Sequence, residues 1–312
     1  MALQTSGSDT AIGTKAPTRQ YVAYGTTVST DLELGAFLLE EGEGRYSLAV
    51  TGRSAGGSFV PPGEPISLGR SHGRELKIHT DREFALSEPA QPWCFEVVDV
   101  ARFHWRGGES VVSYERLPLC TDPLLAFWLI HIFLPLYLTL EGLYEFIHAS
   151  AVDIANHTLL FTAPSHGGKS TLTDFFVQQG HRLVSDDKVA TFFEDETYFA
   201  VPSHPNHRPY RKFEDLGYRV ESFSPSSTKI HAFYALHAVE AECEINIERI
   251  SGHEGFARLL PHYLFNFGFL KARRLRYLGA MLSAVPLFRV DLPWEMRRLA
   301  EVYEVIRNHV SG

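Results

Sequence analysis

The sequence predicts an α/β protein of the α+β type. Its C-terminal part has a mixed sheet with helices and carries a P-loop, and a mostly β N-terminal domain precedes it. Three observations support this fold class. A strand, a glycine-containing loop and a helix follow one another over 158–176. Short strand candidates fill the first third of the chain, and an uncharged apolar segment at 124–140 comes after them. We therefore predict a flexible tail at 1–20, a mostly β domain at 21–120 and a P-loop domain at 121–312.

The composition is that of a globular protein. The 312 residues, 45% of them hydrophobic, suffice for one large core or two moderate ones. The 29 basic and 37 acidic residues give a formal net charge of −8, and no long basic run is present. This balance argues against nucleic-acid binding. Residues 1–19 are rich in Thr, Ser, Ala and Gly and have no apolar core, so they predict a tail and not a secretory signal.

The cysteines and the apolar segment bear on the compartment. The segment 124–140 is short for a bilayer span, contains His131 and Pro135, and has no flanking basic cluster. It predicts a buried or kinked core helix, and no membrane contact is expected. A reducing cytoplasm is expected because three widely spaced cysteines favour neither a disulfide framework nor a zinc site; they are Cys94, Cys120 and Cys243.

The N-terminal domain is predicted from short runs of β-branched and aromatic residues, which favour a mostly antiparallel sheet. The first run is 21–30, and 31–39 follows it as a short mixed segment. The Gly/Ser/Pro-rich stretch 52–73 predicts a mobile loop, and 118–123 marks the domain boundary. Further strand candidates are 46–50, 75–79, 93–98, 103–105 and 110–114.

The stretch 161–171 has the residue types that wrap phosphate oxygens. Such a loop needs inward N–H groups, a lysine for the β- and γ-phosphates and a hydroxyl for Mg²⁺ at the start of a helix. Lys169 and Ser170 match the last two. Ala163 replaces the usual first glycine, which is tolerable if its φ is negative. The predicted nucleotide-binding residues are Ser165, His166, Gly167, Gly168, Lys169, Ser170 and Thr171.

A second short strand, 181–187, ends in Asp186 and Asp187, as a metal-binding strand beside a P-loop should. Asp187 is predicted to hold Mg²⁺ together with Ser170, and Asp186 to accept the proton of an attacking hydroxyl. Adjacent strand residues point to opposite faces, so both carboxylates serve one site only if they lie at or beyond the end of the strand. The alternative for Asp186 is a capping role.

Two further segments supply candidate site residues. The run 146–154 predicts a strand that holds His148 ahead of the P-loop, where a structural role and an active-site role both remain open. A hairpin is predicted at 188–201. The proline-rich and cation-rich segment 202–212 then predicts a loop in which Arg208 and Arg211 cover an anionic ligand, unless it is an ordinary solvated loop.

The C-terminal part alternates strands and helices. Arg273, Arg274 and Arg276 crowd one helical segment, which predicts a solvated face or a grip on an acidic substrate. The expected strands are 231–236, 245–250 and 286–291, and the expected helices are 254–264, 270–282 and 299–310.

Three blocks resemble the kinase domain of HPr kinase/phosphorylase, a bacterial serine kinase with a P-loop core of the phosphoenolpyruvate carboxykinase type. They are His-Ala-Ser at 148–150, Ala-x-x-x-x-Gly-Lys-Ser-Thr at 163–171 and Gly-His-Arg-Leu-Val-Ser-Asp-Asp at 180–187. The resemblance covers roughly 143–310. It implies that His148 lines the active site and that Lys169 and Ser170 bind nucleotide and Mg²⁺. It also implies that Asp186 is the base for a serine hydroxyl and that Asp187 is the carboxylate on the metal side. A homo-oligomer is possible.

The N-terminal region does not resemble the regulatory domain of that family, and the total length is similar to that of stand-alone relatives from peptide-natural-product clusters. Some of these, the lasso-peptide kinases, phosphorylate the C-terminal serine of a precursor peptide. The resemblance implies a cytoplasmic ATP/Mg²⁺-dependent kinase with a serine-containing peptide acceptor. The alternatives are a kinase of a small hydroxylated metabolite and a nucleotide sensor without turnover, which Ala163 and His166 favour.

Overall fold

A computed structural model describes residues 18–34, 44–53, 60–61, 63–81, 90–208 and 214–311. It is a mixed α/β protein with an eight-stranded sheet in the N-terminal part and a nine-stranded sheet after it. The predicted tail lies almost entirely outside the described residues, as do Arg211 and residues 35–39 of the mixed segment.

The N-terminal sheet has the strand order β1-β2-β3-β8-β7-β6-β5-β4 and is mostly antiparallel, as predicted. Its two parallel pairs are β2 with β3 and β3 with β8. The strands are β1 (Arg19–Ala23), β2 (Thr26–Thr30), β3 (Tyr46–Gly52), β4 (Ile66–Ser71), β5 (Arg74–Thr80), β6 (Pro92–Val97), β7 (Ala101–Arg106) and β8 (Val111–Arg116).

Two predictions for this sheet were wrong. The run 21–30 is a hairpin and not a single strand, because Tyr24 and Gly25 both take positive φ and reverse the chain. The predicted loop 52–73 contains β4, which pairs with β5. Glycine in a strand does not prevent pairing here, since Gly69 lies at an irregularity in the register.

The apolar segment is a broken helix that lies in the core. It consists of α1 (Asp122–Trp128), a π-helical turn (Leu129–Phe133) and α2 (Leu134–Leu140). Asp122–Leu140 is long and apolar enough to cross a membrane, but 89% of its apolar window is buried inside the protein. The π turn is followed by Leu134 and then by Pro135, which has no N–H to continue the regular ladder.

This helix packs against the N-terminal sheet. The rings of Phe133 and Phe103 stack with centroids 4.4 Å apart, and Trp105 meets Phe133 edge-on at 5.5 Å. The same apolar cluster continues to Phe146 and Leu216 in the C-terminal part. The core therefore crosses the predicted boundary near residue 120, and the division into domains stays a prediction.

The second sheet has the order β12-β10-β11-β17-β14-β13-β9, and β19 joins β17 to β18. A separate two-stranded ribbon pairs β15 (Asn206–His207) with β16 (Tyr218–Arg219). The strands of the second sheet are β9 (Glu145–Ile147), β10 (Ser150–Ile154), β11 (His157–Thr162), β12 (Arg182–Ser185), β13 (Val189–Glu194), β14 (Thr197–Val201), β17 (Thr228–Val239), β18 (Ile247–Ile250) and β19 (Leu287–Pro293).

Helices cover both faces of this sheet. Helices α4 (Gly252–Leu259) and α5 (Lys271–Ala284) share an apolar cluster with Leu160, whereas α3 (Lys169–Gln178) and α6 (Leu299–Ser311) share one with Phe161. Adjacent residues of β11 thus face opposite cores. Since both faces are buried, β10 has five consecutive buried residues.

The strand predicted at 146–154 is in fact two strands. Strand β9 pairs with β13, while β10 pairs with β11 and β12. His148 lies at the bend between them and not within a strand. The chain must break here because its two halves follow different neighbours in the sheet.

The topology brings several chain segments to one edge of the sheet. Strand β10 is antiparallel to both β11 and β12, so β11 and β12 run in the same direction. Strands β17 and β19 run parallel to β11. The residues that follow β11, β12 and β19 therefore emerge at the same edge, where α3 begins.

Candidate active site

A loop at 163–168, here called the glycine loop, connects β11 to α3. The Gly167 N–H donates to the Pro164 carbonyl at 2.9 Å, which closes a turn. His166 and Gly168 take positive φ values of 63° and 86°. Gly168 directly precedes α3, so the first N–H groups of the helix follow the loop and can bind an anion.

The methyl group of Ala163 is accommodated by the glycine at 167. Ala163 is buried and is not among the residues with positive φ, which was the condition for tolerating alanine here. A Cβ placed on Gly167 would lie only 2.8 Å from the Ala163 Cβ. The loop stays tight because one of these two positions carries no side chain.

Lys169 is buried, and its Nζ donates to the Ala163 carbonyl at 3.2 Å. Burial and the charges of Lys169 and Arg258 lower the pKa of His262 to about 4. The lysine charge is thus felt in the cavity of about 660 Å³ that His262 lines. We call this space the loop cavity; its lining includes His148, Thr162, Ala163, Pro164, Ser165, Glu254, Arg258, His262, Tyr263 and Leu264.

Asp186 lies just beyond β12 and is 5% exposed. Its carboxylate accepts hydrogen bonds from Ser150 Oγ at 2.9 Å and from the Arg208 N–H at 3.0 Å, and it pairs with His207 Nδ1 at 2.9 Å. Burial opposes its charged form, but the His207 contact and the Arg208 N–H hold the pKa of Asp186 below its ordinary value. Asp186 therefore fixes the start of β10 and the residues following β15.

Asp187 has a positive φ of 69° and turns its carboxylate to the other side of the strand end. Its Oδ2 lies 2.7 Å from Lys188 Nζ and 3.4 Å from His131 Nε2, and its Oδ1 lies 3.9 Å from His148 Nε2. Burial opposes the charge here too, but the Lys188 ammonium, which donates to this carboxylate, holds the pKa of Asp187 well below its ordinary value. This carboxylate is ionised at neutral pH.

His131, from the π-helical turn, is the centre of a buried polar cluster. Its Nε2 lies 2.8 Å from Lys188 Nζ and 3.1 Å from Arg208 Nη1. Both neighbours are donors, so Nε2 is the acceptor nitrogen of a neutral ring. Burial, with help from Lys188, lowers the pKa of His131 well below its ordinary value. The widened helical turn therefore carries a side chain of the candidate site, as π turns often do.

Asp187, Lys188 and Arg208 line a second cavity of about 680 Å³, here called the acid cavity. His72, in the turn between β4 and β5, contributes to its wall and lies 3.4 Å from Arg208 Nη2. His148 borders both the loop cavity and the acid cavity. The apolar residues of the acid cavity are Ile66, Leu68, Leu76, Ile132, Leu264, Phe265, Phe267 and Phe269.

The predicted site residues fall into three groups. His148 and Ser165 line the loop cavity, whereas Asp187 and Arg208 line the acid cavity. His166, Gly167, Gly168, Ser170 and Thr171 lie in the glycine loop or the first turn of α3. Asp186 lines neither cavity. Arg211 is outside the described residues.

Several residues of the site were missed by the sequence analysis. His131 was noted only as a polar residue in an apolar segment, and His207 only as part of a loop. For His131, an isolated polar residue in an apolar segment was the available signal. His72 and His262 gave no signal, because their neighbours in the site are far away in sequence, and Lys188 was assigned only to the predicted hairpin.

The arginines of α5 are not all solvated. Arg273 pairs with the buried Glu145 at 2.8 Å, and Arg274, 4% exposed, lies 3.7 Å from the same carboxylate. The interpretation as a solvated face was therefore wrong for these two residues, because β9 places an acid against them. Arg276 is exposed.

The donors present suit Mg²⁺ only together with phosphate. Within the described part of the chain, no group of three or more His, Cys, Asp or Glu side chains could hold a metal ion. Mg²⁺ in phosphoryl-transfer sites usually takes one or two protein oxygens and completes its shell with water and phosphate oxygens. The Asp187 carboxylate and the Ser170 hydroxyl are oxygens of that kind.

Comparisons with known proteins find similarity among solved structures alone. No family model matches the sequence, and no curated protein matches it. Among solved structures, the chain is similar to the HPr(Ser) kinase/phosphatase from Coxiella burnetii, with 17% identity over 53% of this chain and 89% of that chain. The TM-score is 0.32, and at that value the likeness carries no conclusion about activity.

Proposed function

We propose that the protein is an ATP- and Mg²⁺-dependent kinase that transfers the γ-phosphoryl group to a serine hydroxyl. The observation that carries the proposal is the meeting of two cavities at His148. One is lined by Ala163 of the glycine loop, whose carbonyl accepts from the buried Lys169, and the other is lined by the ionised Asp187. A phosphoryl donor and an acceptor bound in these cavities would approach each other beside one histidine.

The loop side supplies the charges that a polyphosphate requires. The first N–H groups of α3 and the Lys169 ammonium would hold the phosphate oxygens, and Arg258 adds a cation on the opposite wall of the loop cavity. Phosphoryl transfer depends mainly on positioning and charge neutralisation. Held by Ser170 and Asp187, Mg²⁺ would neutralise charge on the phosphates.

The two aspartates have different surroundings, which bears on their roles. Asp187 is the one carboxylate among the described residues that line the acid cavity, so it is available to a hydroxyl or a metal ion bound there. The base role that the sequence analysis assigns to Asp186 stays a prediction. It requires a substrate hydroxyl to reach this buried carboxylate, which already forms hydrogen bonds with Ser150, His207 and Arg208.

The walls of the acid cavity favour a peptide acceptor over a small polar metabolite. Three phenylalanines and several aliphatic side chains line it together with Asp187, Arg208 and His72. Free serine or a sugar has too little apolar surface to cover those apolar side chains. A C-terminal serine would place its hydroxyl near Asp187 and its carboxylate near Arg208, which fits a lasso-type precursor peptide.

The experiment uses purified protein, labelled ATP and Mg²⁺ with four acceptors: a serine-terminated peptide as the acid, the same peptide as the amide, free serine and a sugar. We expect label on the peptide acid, weaker label on the amide, and none in a Lys169→Ala variant. Label on free serine or the sugar alone would show that the acceptor is a small metabolite and not a peptide. ATP binding without transfer to any acceptor would support a sensor instead.

A further inference from the structure

A third recess lies at the other end of the glycine loop. It has a volume of about 180 Å³ and is formed where α3, the end of β19 and the start of α6 meet. We call it the tryptophan notch; it is lined by Gly168, Thr171, Leu292, Pro293, Trp294, Glu295, Met296, Leu299 and Val302.

The notch presents apolar surface to solvent. Among the described residues, Met296 and Trp294 are the most exposed large apolar side chains, at 65% and 59%. Their backbone is nevertheless fixed. The Trp294 N–H donates to the Val239 carbonyl at 3.0 Å, and Glu295 caps the short helical turn Met296–Arg298 through the Arg297 N–H. An exposed indole on a fixed backbone is a preorganised stacking surface.

The Trp294 indole lies directly beside the glycine loop, which is the candidate phosphate-binding segment. A Cβ placed on Gly168 would lie 3.6 Å from Trp294 Cζ3 and 3.1 Å from Leu292 Cδ2. This closeness follows from the topology, because β11 and β19 both run parallel to β17 and end at the same edge. Glycine at 168 thus allows both the positive φ and the approach of the ring.

The two ends of the loop differ in chemistry. Lys169 Nζ lies against Ala163, toward the loop cavity, and a lysine at this position reaches the β- and γ-phosphates. The α-phosphate and its nucleoside then belong at the opposite end, where Thr171 and the tryptophan notch lie. A flat apolar ring system is the part of a nucleotide that such a surface would hold.

We infer that the tryptophan notch is the nucleobase subsite, with the base stacked on Trp294. The inference rests on the proposed function, because it requires a polyphosphate on the glycine loop. A base bound in this way is recognised by its π-face, so adenine and guanine nucleotides bind with similar affinity.

The test separates the base from the phosphates. Binding of ATP and of inorganic tripolyphosphate is measured by calorimetry for the wild type, Trp294→Ala, Trp294→Phe and the control Phe193→Ala. Phe193 is also an exposed aromatic residue, at 53%, but lies on β13. We expect Trp294→Ala to weaken ATP binding about 5- to 150-fold, the range for stacking on an aromatic ring. Tripolyphosphate affinity should be unchanged, and Trp294→Phe should retain most of the ATP affinity.

Tryptophan fluorescence gives a second readout. Trp93, Trp105 and Trp128 are buried at 5%, 4% and 0% exposure, so quenching by acrylamide reports mainly on Trp294. ATP should protect it and tripolyphosphate should not. Equal ATP affinity in the wild type and Trp294→Ala would overturn the base subsite and leave the kinase proposal standing. An equal loss of ATP and tripolyphosphate affinity in Trp294→Ala would also overturn the base subsite. So would protection of Trp294 from acrylamide by self-association in the absence of nucleotide. If the wild type binds neither ligand, the proposed function itself fails.

Discussion

Exchanging Asp186 and Asp187 separately for asparagine tests how the structure divides their roles. In Asp186→Asn, the amide can turn its oxygen to His207 and the Arg208 N–H and donate its NH₂ to Ser150 Oγ. All three charge-assisted hydrogen bonds then become neutral ones, and each loses about 1 kcal/mol. We therefore expect the free energy of unfolding to fall by about 3 kcal/mol.

Asp187→Asn removes the anion that faces Lys188 Nζ at 2.7 Å. Breaking a buried ion pair from one side costs about 3–5 kcal/mol, and the lower end applies here because the Asp187 side chain is 18% exposed and Lys188 keeps its contact with His131. Transfer should fall about 10²- to 10⁴-fold, since the exchanged carboxylate borders the acid cavity.

Urea unfolding gives the stabilities, and transfer and ATP binding are measured at a temperature where all variants are folded. The exposed Asp195, exchanged for asparagine, is the control. Full transfer by Asp187→Asn would refute the assignment of this carboxylate to the reaction. An Asp186→Asn variant as stable as the wild type would refute the hydrogen-bond reasoning. A large loss of transfer in Asp186→Asn would support the predicted base.

Three further predictions follow from particular contacts. Gly167→Ala should weaken ATP binding, because the new Cβ would lie 2.8 Å from that of Ala163, and adding Ala163→Gly should restore part of the affinity. Affinity is measured by calorimetry, and an unchanged affinity in Gly167→Ala would contradict the prediction. Glu145→Gln should lower the free energy of unfolding by about 3–5 kcal/mol, since it leaves the buried Arg274 without its carboxylate. Arg274→Met should lower it far less. Equal decreases for the two variants in urea unfolding would contradict this. Burial lowers the pKa of His204 from 6.5 to about 4, so the unfolded chain binds a proton at a higher pH than the folded chain does. The free energy of unfolding therefore falls as the pH drops from about 6.5 to 4, and the decrease at pH 5 is about 2 kcal/mol. His204→Phe should flatten that part of a plot of Tm against pH, and an unchanged slope would disprove the account.

The sequence by itself determined the features that depend on neighbouring residues. The strand, glycine loop and first helical turn at 158–171 form as predicted, because their pattern of apolar residues and glycines is local. The buried helix was predicted for the same reason. The position of both aspartates beyond β12 was a condition stated from strand geometry alone, and the structure meets it.

Only the tertiary structure decided which distant residues share a site. His131 is 57 residues from Lys188 and 77 from Arg208, and His72 is 136 residues from Arg208. Periodicity carries no information on such separations, because they depend on how the strands pair and on which edge they end. The same pairing splits the strand at His148 and brings Trp294 against Gly168. Local patterns thus determined the elements, and the order of the strands in the sheet determined the site.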